Sequence, residues 1–396
     1  METIKNKTFA EVKELLKDNF IVKDDKTLKS LYLITYKRKV DSESDVEVEK
    51  PSMDKQYDIF QRGIILEKET NKPIFVSFRD REEFDETKSE LSNYGLDWSS
   101  CQIEESVEGT QIKLFYYQGE WRVATSHCID AHRANWNGNN FYELFLEAAE
   151  CEKFNFKSMD PKYCHLLVMQ HPKNVLVTEF KVPKLIHILS RDMSQNDMPE
   201  VKLDIGLSKP AIVLNFKSME ELLKDVNENK TIDKEGYIVR DLKSEKRIKI
   251  MSKVYKEASE LRMNNTSNNI AYHYLQLKAQ NKVEDYLKYY EKNRPIFEAI
   301  EMKLEDMISE IYQQYLRKYK FKVLKMNDVP YQFRPIIYEL HGKYLATHKG
   351  ITRRNVSELL YNKAPEQIAY MYNMYYDGVR KILSSGDKIS NDETKE

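Results

Sequence analysis

The chain has 396 residues, enough for two or three domains with their own cores, and its 63 Lys+Arg and 64 Asp+Glu nearly cancel. That balance names no partner, so any nucleic-acid signal must be local. Tyr is frequent (26) while Gly and Pro are scarce (11 each), which excludes a fibrous or disordered chain.

The charged opening METIKNKTFAEVKELLKDNF lacks the apolar run of a signal peptide. Nowhere do about 18 apolar residues follow one another, so no membrane span is expected. The four cysteines, Cys101, Cys128, Cys151 and Cys164, show no paired spacing and read as reduced thiols of a cytoplasmic protein.

Phe9, Val12, Leu15 and Leu16 predict a short amphipathic helix. A strand-like LYLITY and an acidic loop, DSESDVEVEKPS, come next. From about 55 to 255 the pattern is strand-rich. FQRGIILEKE and KPIFVSFRD are short apolar runs, and TQIKLFYYQGEWRVAT reads as a hairpin turning at Gln118-Gly119. CHLLVMQHPKNVLVTEF reads as a second hairpin around His171–Asn174. After AIVLNF, Ser218 and Glu221 have capping-box spacing at a helix start. Beyond about 257, apolar residues recur every three or four positions, the mark of helices. The expected organisation is α+β: a mixed α/β body with antiparallel sheets over 1–258, a helical domain over 259–385, and a disordered tail over 386–396.

Three fragments carry chemistry together rather than singly: Glu108-Gly109-Thr110 opening a hairpin, Glu235-Gly236-Tyr237-Ile238-Val239 at a later strand, and Lys249-Ile250-Met251-Ser252 at the next. Their order resembles the covalent nucleotidyltransferases, that is RNA ligases, DNA ligases and capping enzymes. Phage-type RNA ligases and their relatives in large DNA viruses look closest. The family's Lys-x-Asp/Glu-Gly corresponds to Ser106-Val107-Glu108-Gly109, its Glu-Gly-Tyr-Val to EGYIV, and its Lys-x-Lys-Ser to KIMS. A middle motif of Phe-Glu type, followed by Pro-x-Asn-Arg-Ile-Val, is echoed by LLVMQHPKNVLV. The resemblance covers about residues 100–258.

What it implies is a ligase-like fold acting on or binding RNA ends, dependent on ATP and Mg²⁺ if active. Glu108, Glu235 and Lys249 would stand at catalytic positions, Ser106, Gly109 and Lys249 would contact nucleotide, and Glu235 would bind the metal. The family's lysine attacks an α-phosphate and must be deprotonated to do so. Here that slot holds Ser106, which forms no phosphoramidate. Val168 stands where the middle glutamate belongs and Met251 replaces the second lysine of the last motif. Strand parity places Lys113 on the face opposite Ser106 and Glu108, a poor substitute. An active ligase, a degenerate nucleotide- or RNA-binding module and a capping-type guanylyltransferase therefore all stay open.

His127, Cys128 and His132, like Cys164, His165 and His171, lack metal-site spacing and read as ordinary strand and turn residues. No Gly-rich phosphate loop and no Gly-x-Ser-x-Gly elbow occurs. Residues 313–354 gather cations, including Arg317, Lys318, Lys320, Arg353 and Arg354, among aromatics such as Tyr319 and Tyr344. Phosphate-neutralising charge beside stacking rings is a pattern of RNA recognition, so RNA is the expected partner of this segment.

Overall fold

The expected amphipathic helix forms as α1 (Phe9–Leu16), held by a capping box in which Thr8 and Glu11 exchange hydrogen bonds. Val12 and Leu16 are buried, while Leu15 stays 41% exposed at the edge of the apolar stripe. The structure is a computed structural model that describes residues 2–37, 60, 63–78, 81–87, 91–136, 138–262 and 269–376. The acidic loop and the 386–396 tail of the sequence reading lie outside the described residues.

The chain divides into two compact units, Met1–Thr266 and Ser267–Glu396. In the first, β1 (Phe20–Asp24), β2 (Leu31–Tyr36), β3 (Ile64–Glu67) and β4 (Pro73–Phe75) form an antiparallel sheet in sequence order. Further strands follow as β5 (Arg81–Glu83), β6 (Cys101–Glu105), β7 (Thr110–Tyr117) and β8 (Glu120–Thr125). A two-residue pair, β9 (Asn135–Trp136) and β10 (Asn139–Asn140), then leads into α2 (Phe141–Cys151). Next come β11 (Tyr163–Gln170), β12 (Lys184–Asp192), β13 (Glu200–Val201) and β14 (Ile212–Val213). After α3 (Met219–Glu228), β15 (Gly236–Asp241), β16 (Arg247–Met251) and α4 (Lys253–Arg262) complete the unit.

Two five-stranded sheets result. The central one runs β13-β12-β11-β7-β8 and is antiparallel throughout, and the second runs β14-β6-β15-β16-β5, with only β5 parallel to its neighbour. One face of the central sheet, with Phe115, Ala124, Leu166 and Leu189, packs on Leu31, Leu33, Ile65 and Phe75 of the N-terminal sheet. Its other face, with Ile112, Leu114, Leu167 and Met169, buries Leu144, Phe145 and Ala148 of α2. The second sheet packs Ile103, Tyr237, Val239 and Ile250 beneath Leu222 and Val226 of α3.

The first hairpin forms as read, with Gln118 (φ 51°) and Gly119 (φ 83°) in the left-handed region that a tight two-residue turn requires. The second does not. β11 and the His171–Asn174 bridge are present, but residues 175–180 form no returning strand. β11 is already flanked by β7 and β12, so its edges are filled, and the segment turns away to bind Glu108 instead. At α3, Ser218 caps as expected by accepting from Glu221 N at 3.3 Å. The reciprocal arm reaches one residue further back, where Lys217 N donates to Glu221 Oε2 at 2.8 Å.

The second unit is helical: α5 (Ile270–Ala279), α6 (Val283–Tyr289), α7 (Arg294–Tyr315), α8 (Arg334–Thr347), α9 (Arg353–Tyr361) and a final helix over 365–376. Phe297, Ile300, Leu304, Ile308 and Ile311 form the buried stripe of α7. The mixed α+β class with antiparallel sheets and a helical C-terminal region is therefore as read. All four cysteines are free, and no described helix is long and apolar enough to cross a membrane.

Lys113 lies in regular register on β7, between Leu166 and Ala124, on the face opposite Ile112 as parity requires. It is fully buried, 5.6 Å from the Phe75 ring centroid, and its Nζ has no hydrogen-bond partner among the described residues. Gly63 makes room for the amine, since a Cβ there would collide with it. Burial pushes the amine down to about 7 from the ordinary 10.5. A depressed lysine destabilises the fold fully below the folded value, and the penalty fades as pH rises from about 7 towards 10.5. Lys113→Met should raise Tm by about 5 °C at pH 7. The gain should shrink by pH 10, as followed by thermal unfolding at both pH values.

Candidate active site

The two Glu-Gly pairs sit at matching places, Glu108-Gly109 at the entry to β7 and Glu235-Gly236 at the entry to β15. Both glycines have positive φ, 146° and 140°, and a Cβ would collide with the Met169 and Ile250 carbonyls respectively. Only glycine lets the strands approach this closely just after each acid. The two glutamates are thereby turned to one side while the chain continues into its ladder.

Glu235 is the hub of the cleft. Its Oε2 accepts from Ser106 Oγ at 2.6 Å, and its Oε1 takes a close ion pair from Lys249 Nζ. The backbone holds this arrangement in register, for Ser106 N donates to Gly236 O and Ser252 N to Glu235 O, both at 2.9 Å. Glu104 and Ser106 lie on one face of their segment, and Arg247 and Lys249 on the same face of β16. That face looks away from the α3 core.

Glu108 is held differently. Val177 N donates to it at 2.7 Å and Thr178 N at 3.0 Å, and Gln170 Nε2 donates to its main-chain carbonyl at 3.0 Å. Thr178 Oγ1 fixes that turn by donating to Ile232 O at 2.9 Å. Burial pushes the Glu108 carboxyl up, the two N–H donors oppose the rise, and the Glu235 charge adds to it. The cavity between these acids has a volume of about 350 Å³ and is lined by Ser106, Glu108, Phe180, Lys184, Lys209 and Glu235, among others.

Ser106, Glu235 and Lys249 are thus in contact, and Glu108 lines the same cavity as Ser106 and Glu235. Gly109 contributes backbone shape and no side-chain contact. Val168 is buried on β11 between Gln111 and Ile186, and Met251 pairs with Gly236 in the β15–β16 ladder. Sequence reasoning missed Thr178, Phe180, Lys184 and Lys209. They come from a turn, from the start of β12 and from a loop, with no fixed spacing to the Glu-Gly pairs. Lys209 Nζ donates to Leu203 O at 2.8 Å.

A divalent cation at Glu235 would have to compete with the Lys249 ammonium and the Ser106 hydroxyl for its oxygens, and at Glu108 with two backbone N–H groups. Among the described residues no group of three His, Cys, Asp or Glu is placed to hold a metal.

In the helical unit, α7 ends in a π-helical turn, Leu316–Lys320, where Phe321 N donates to Leu316 O at 2.8 Å. Arg317, Lys318 and Lys320 all lie on it. Tyr319 stacks on His341 at 3.6 Å with 7° between the planes, and Phe321 is 56% exposed. Arg353 instead pairs with Glu305 at 2.5 Å and Arg354 with Glu358 at 2.9 Å.

Removing the Glu108 carboxylate leaves two buried N–H donors unmatched, at a cost of about 1–3 kcal/mol. Glu108→Ala should lower Tm by several degrees, and Glu108→Gln, which keeps an acceptor oxygen, by less. An acid raised on folding is penalised while charged. The difference between Glu108→Gln and the parent should therefore move in the parent's favour as pH falls below the raised Glu108 value, as read from denaturation curves between pH 4 and 8.

No protein-family model matches the chain. It is 21% identical over 347 residues, 83% of this chain and 75% of the other, to the Immediate-early protein ICP-46 homolog of Invertebrate iridescent virus 3. It is 24% identical over 208 residues to the "Putative bifunctional polynucleotide kinase/RNA ligase" of Autographa californica nuclear polyhedrosis virus, covering 49% of this chain and 30% of that one. Among solved structures, an archaeal ATP-dependent RNA ligase overlaps 76% of this chain and 72% of its own, at 12% identity and a TM-score of 0.40. The chain is thus similar to proteins of DNA viruses, one of them carrying an RNA ligase name.

Proposed function

We propose that this chain is an RNA-ligase-like protein that holds a nucleotide in the Glu108–Glu235 cleft and engages RNA ends without charging Ser106. The observation that carries this reading is the Ser106–Glu235–Lys249 chain of contacts. A serine cannot form the lysyl phosphoramidate, and the Glu235 carboxylate that accepts from its hydroxyl is committed to an ion pair with Lys249. What the cavity offers instead is binding. Lys184 and Lys209 supply positive charge for phosphates, Phe180 an apolar ring for a base, and Ser106 with Glu235 hydrogen-bonding groups for a ribose.

Incubation with radiolabelled ATP or GTP and Mg²⁺, followed by denaturing electrophoresis, tests this directly. The protein band should carry no label, while ATP binding measured by calorimetry should fall at least about tenfold in a Lys184→Ala/Lys209→Ala variant. A labelled band would overturn the non-covalent reading.

A second reading rests on Lys184 and Lys209 themselves, which bring two lysines into the wall of the cavity that holds both acids. On it the chain is an active ATP-dependent ligase, or a capping-type guanylyltransferase if only GTP labels it, with one of these amines as nucleophile. Label abolished by a single alanine substitution at one of the two positions would select this reading.

The helical unit would take RNA through the π-helical turn. Arg317, Lys318 and Lys320 have no carboxylate partner among the described residues, whereas Arg353 and Arg354 are ion-paired. Replacing the first three by alanine should flatten the dependence of log affinity on log salt by about two for single-stranded RNA. The Arg353→Ala/Arg354→Ala variant should change it less. Filter binding across roughly 50 to 300 mM salt makes the comparison.

A further inference from the structure

A second cavity, of about 410 Å³, opens elsewhere in the first unit and shares no lining residue with the Glu108–Glu235 cleft. Its wall includes Phe154, Met159, Tyr163, Leu203 and Ile205, together with His165 of β11. His165 is fully buried. Its Nδ1 lies 2.6 Å from Ser190 Oγ, and the same hydroxyl lies 2.8 Å from His187 Nε2. Ser190 has one proton to give, so it donates to one imidazole and accepts from the other. The remaining ring nitrogen of His165, Nε2, is buried and has no hydrogen-bond partner among the described residues.

A buried polar atom without a partner is costly, of the order of 1–3 kcal/mol, and such an atom in a cavity wall invites a ligand to satisfy it. The relay sets what it can offer. When Ser190 donates to His187, His165 Nε2 is a lone pair; when Ser190 donates to His165, it is an N–H. In both states the ring is neutral, because burial pushes His165 down to about 3 and His187 to about 4. A neutral ring offers a carboxylate or phosphate no ion pair, only a hydrogen bond. The apolar wall asks for a flat face, and Trp121, its ring 5.9 Å from that of His165, extends the aromatic lining behind it. Asp160 and Asp204 outnumber Lys153 in the lining, which leaves it net negative and suits hydroxyl or amine donors better than a phosphate.

We propose that this cavity is a second ligand site, specific for an uncharged planar heterocycle of nucleobase type whose edge hydrogen-bonds to His165 Nε2. The source could be a free nucleoside or one base of an RNA strand, and the chemistry is the same. The proposal does not rest on nucleotide binding in the Glu108–Glu235 cleft.

The test uses the full-length chain, with adenosine, uridine and short single-stranded RNA titrated by calorimetry and followed by saturation-transfer NMR. In the Lys184→Ala/Lys209→Ala background, which removes the phosphate-binding lysines of the other cleft, nucleosides should bind and the 5′-monophosphates should bind no more tightly. His165→Phe, which keeps the ring but removes the nitrogen, should weaken binding about three- to tenfold. Ile205→Trp, which fills the cavity from a half-buried position and leaves the relay intact, should abolish it. Glu108→Gln, in the other cleft, should leave it unchanged, which separates failure here from failure of the nucleotide reading. RNA binding that is lost in Ile205→Trp while free nucleosides bind weakly would assign the site to an RNA base; the reverse ranking would assign it to free nucleosides. No nucleoside or RNA binding sensitive to both His165→Phe and Ile205→Trp, with both variants folded by circular dichroism, would overturn the proposal.

Discussion

The cleft of this protein depends on a set of buried charges between its two five-stranded sheets. Arg240 bonds Glu200 at 2.6 Å and Glu104 at 3.5 Å, and Arg247 reaches the same two acids at 3.2 and 3.9 Å. Glu200 belongs to the central sheet, Glu104, Arg240 and Arg247 to the second. Two cations shared between two acids leave little uncompensated charge, which a buried position demands, because removing any one partner would strand the others. Arg191, also fully buried, adds bonds to the Ser77 and Met198 carbonyls and an ion pair to Glu245. Such a network fixes how the two sheets face each other more sharply than apolar packing would, since its partners must meet at hydrogen-bond distance.

The candidate site lies on the same strands as that network. Ser106 is two residues beyond Glu104 and Lys249 two beyond Arg247, so the pleat that turns Glu104 and Arg247 into the network also turns Ser106 and Lys249 towards Glu235. The structural clamp and the ligand cleft are successive rungs of one sheet face. Ser106, Val168 and Met251 stand outside the network, and each is accommodated locally by a hydrogen bond, by core packing or by a ladder pair.

Two acids in one cavity are kept apart by their partners. Glu235 is matched to an ammonium and a hydroxyl, and Glu108 to two backbone N–H groups. The His165–Ser190–His187 relay is less complete, since two imidazoles share one hydroxyl and leave His165 Nε2 and His187 Nδ1 unmatched among the described residues. Lys113 is the opposite case, a buried amine with no matched partner among the described residues, and its cost is borne by the fold.

Much was legible in the sequence. Short apolar runs marked the strands, Gln118-Gly119 the hairpin, three- and four-residue spacing the helices, and strand parity the face on which Lys113 lies. Glu108 and Glu235 each sit at a strand entry and Lys249 on a pleat whose direction is set by period two, which places the two acids in one cavity and Lys249 against Glu235. What tertiary structure decided was pairing. β11 was saturated by β7 and β12, so VLVTEF could not return as a strand and became the turn that binds Glu108. Lys184 and Lys209 entered the cavity wall from distant segments with no local signal. Arg353 and Arg354, indistinguishable in sequence from Arg317 and Lys318, found Glu305 and Glu358. Local patterns fix direction and periodicity, whereas a partner is chosen only when the whole chain brings it within reach.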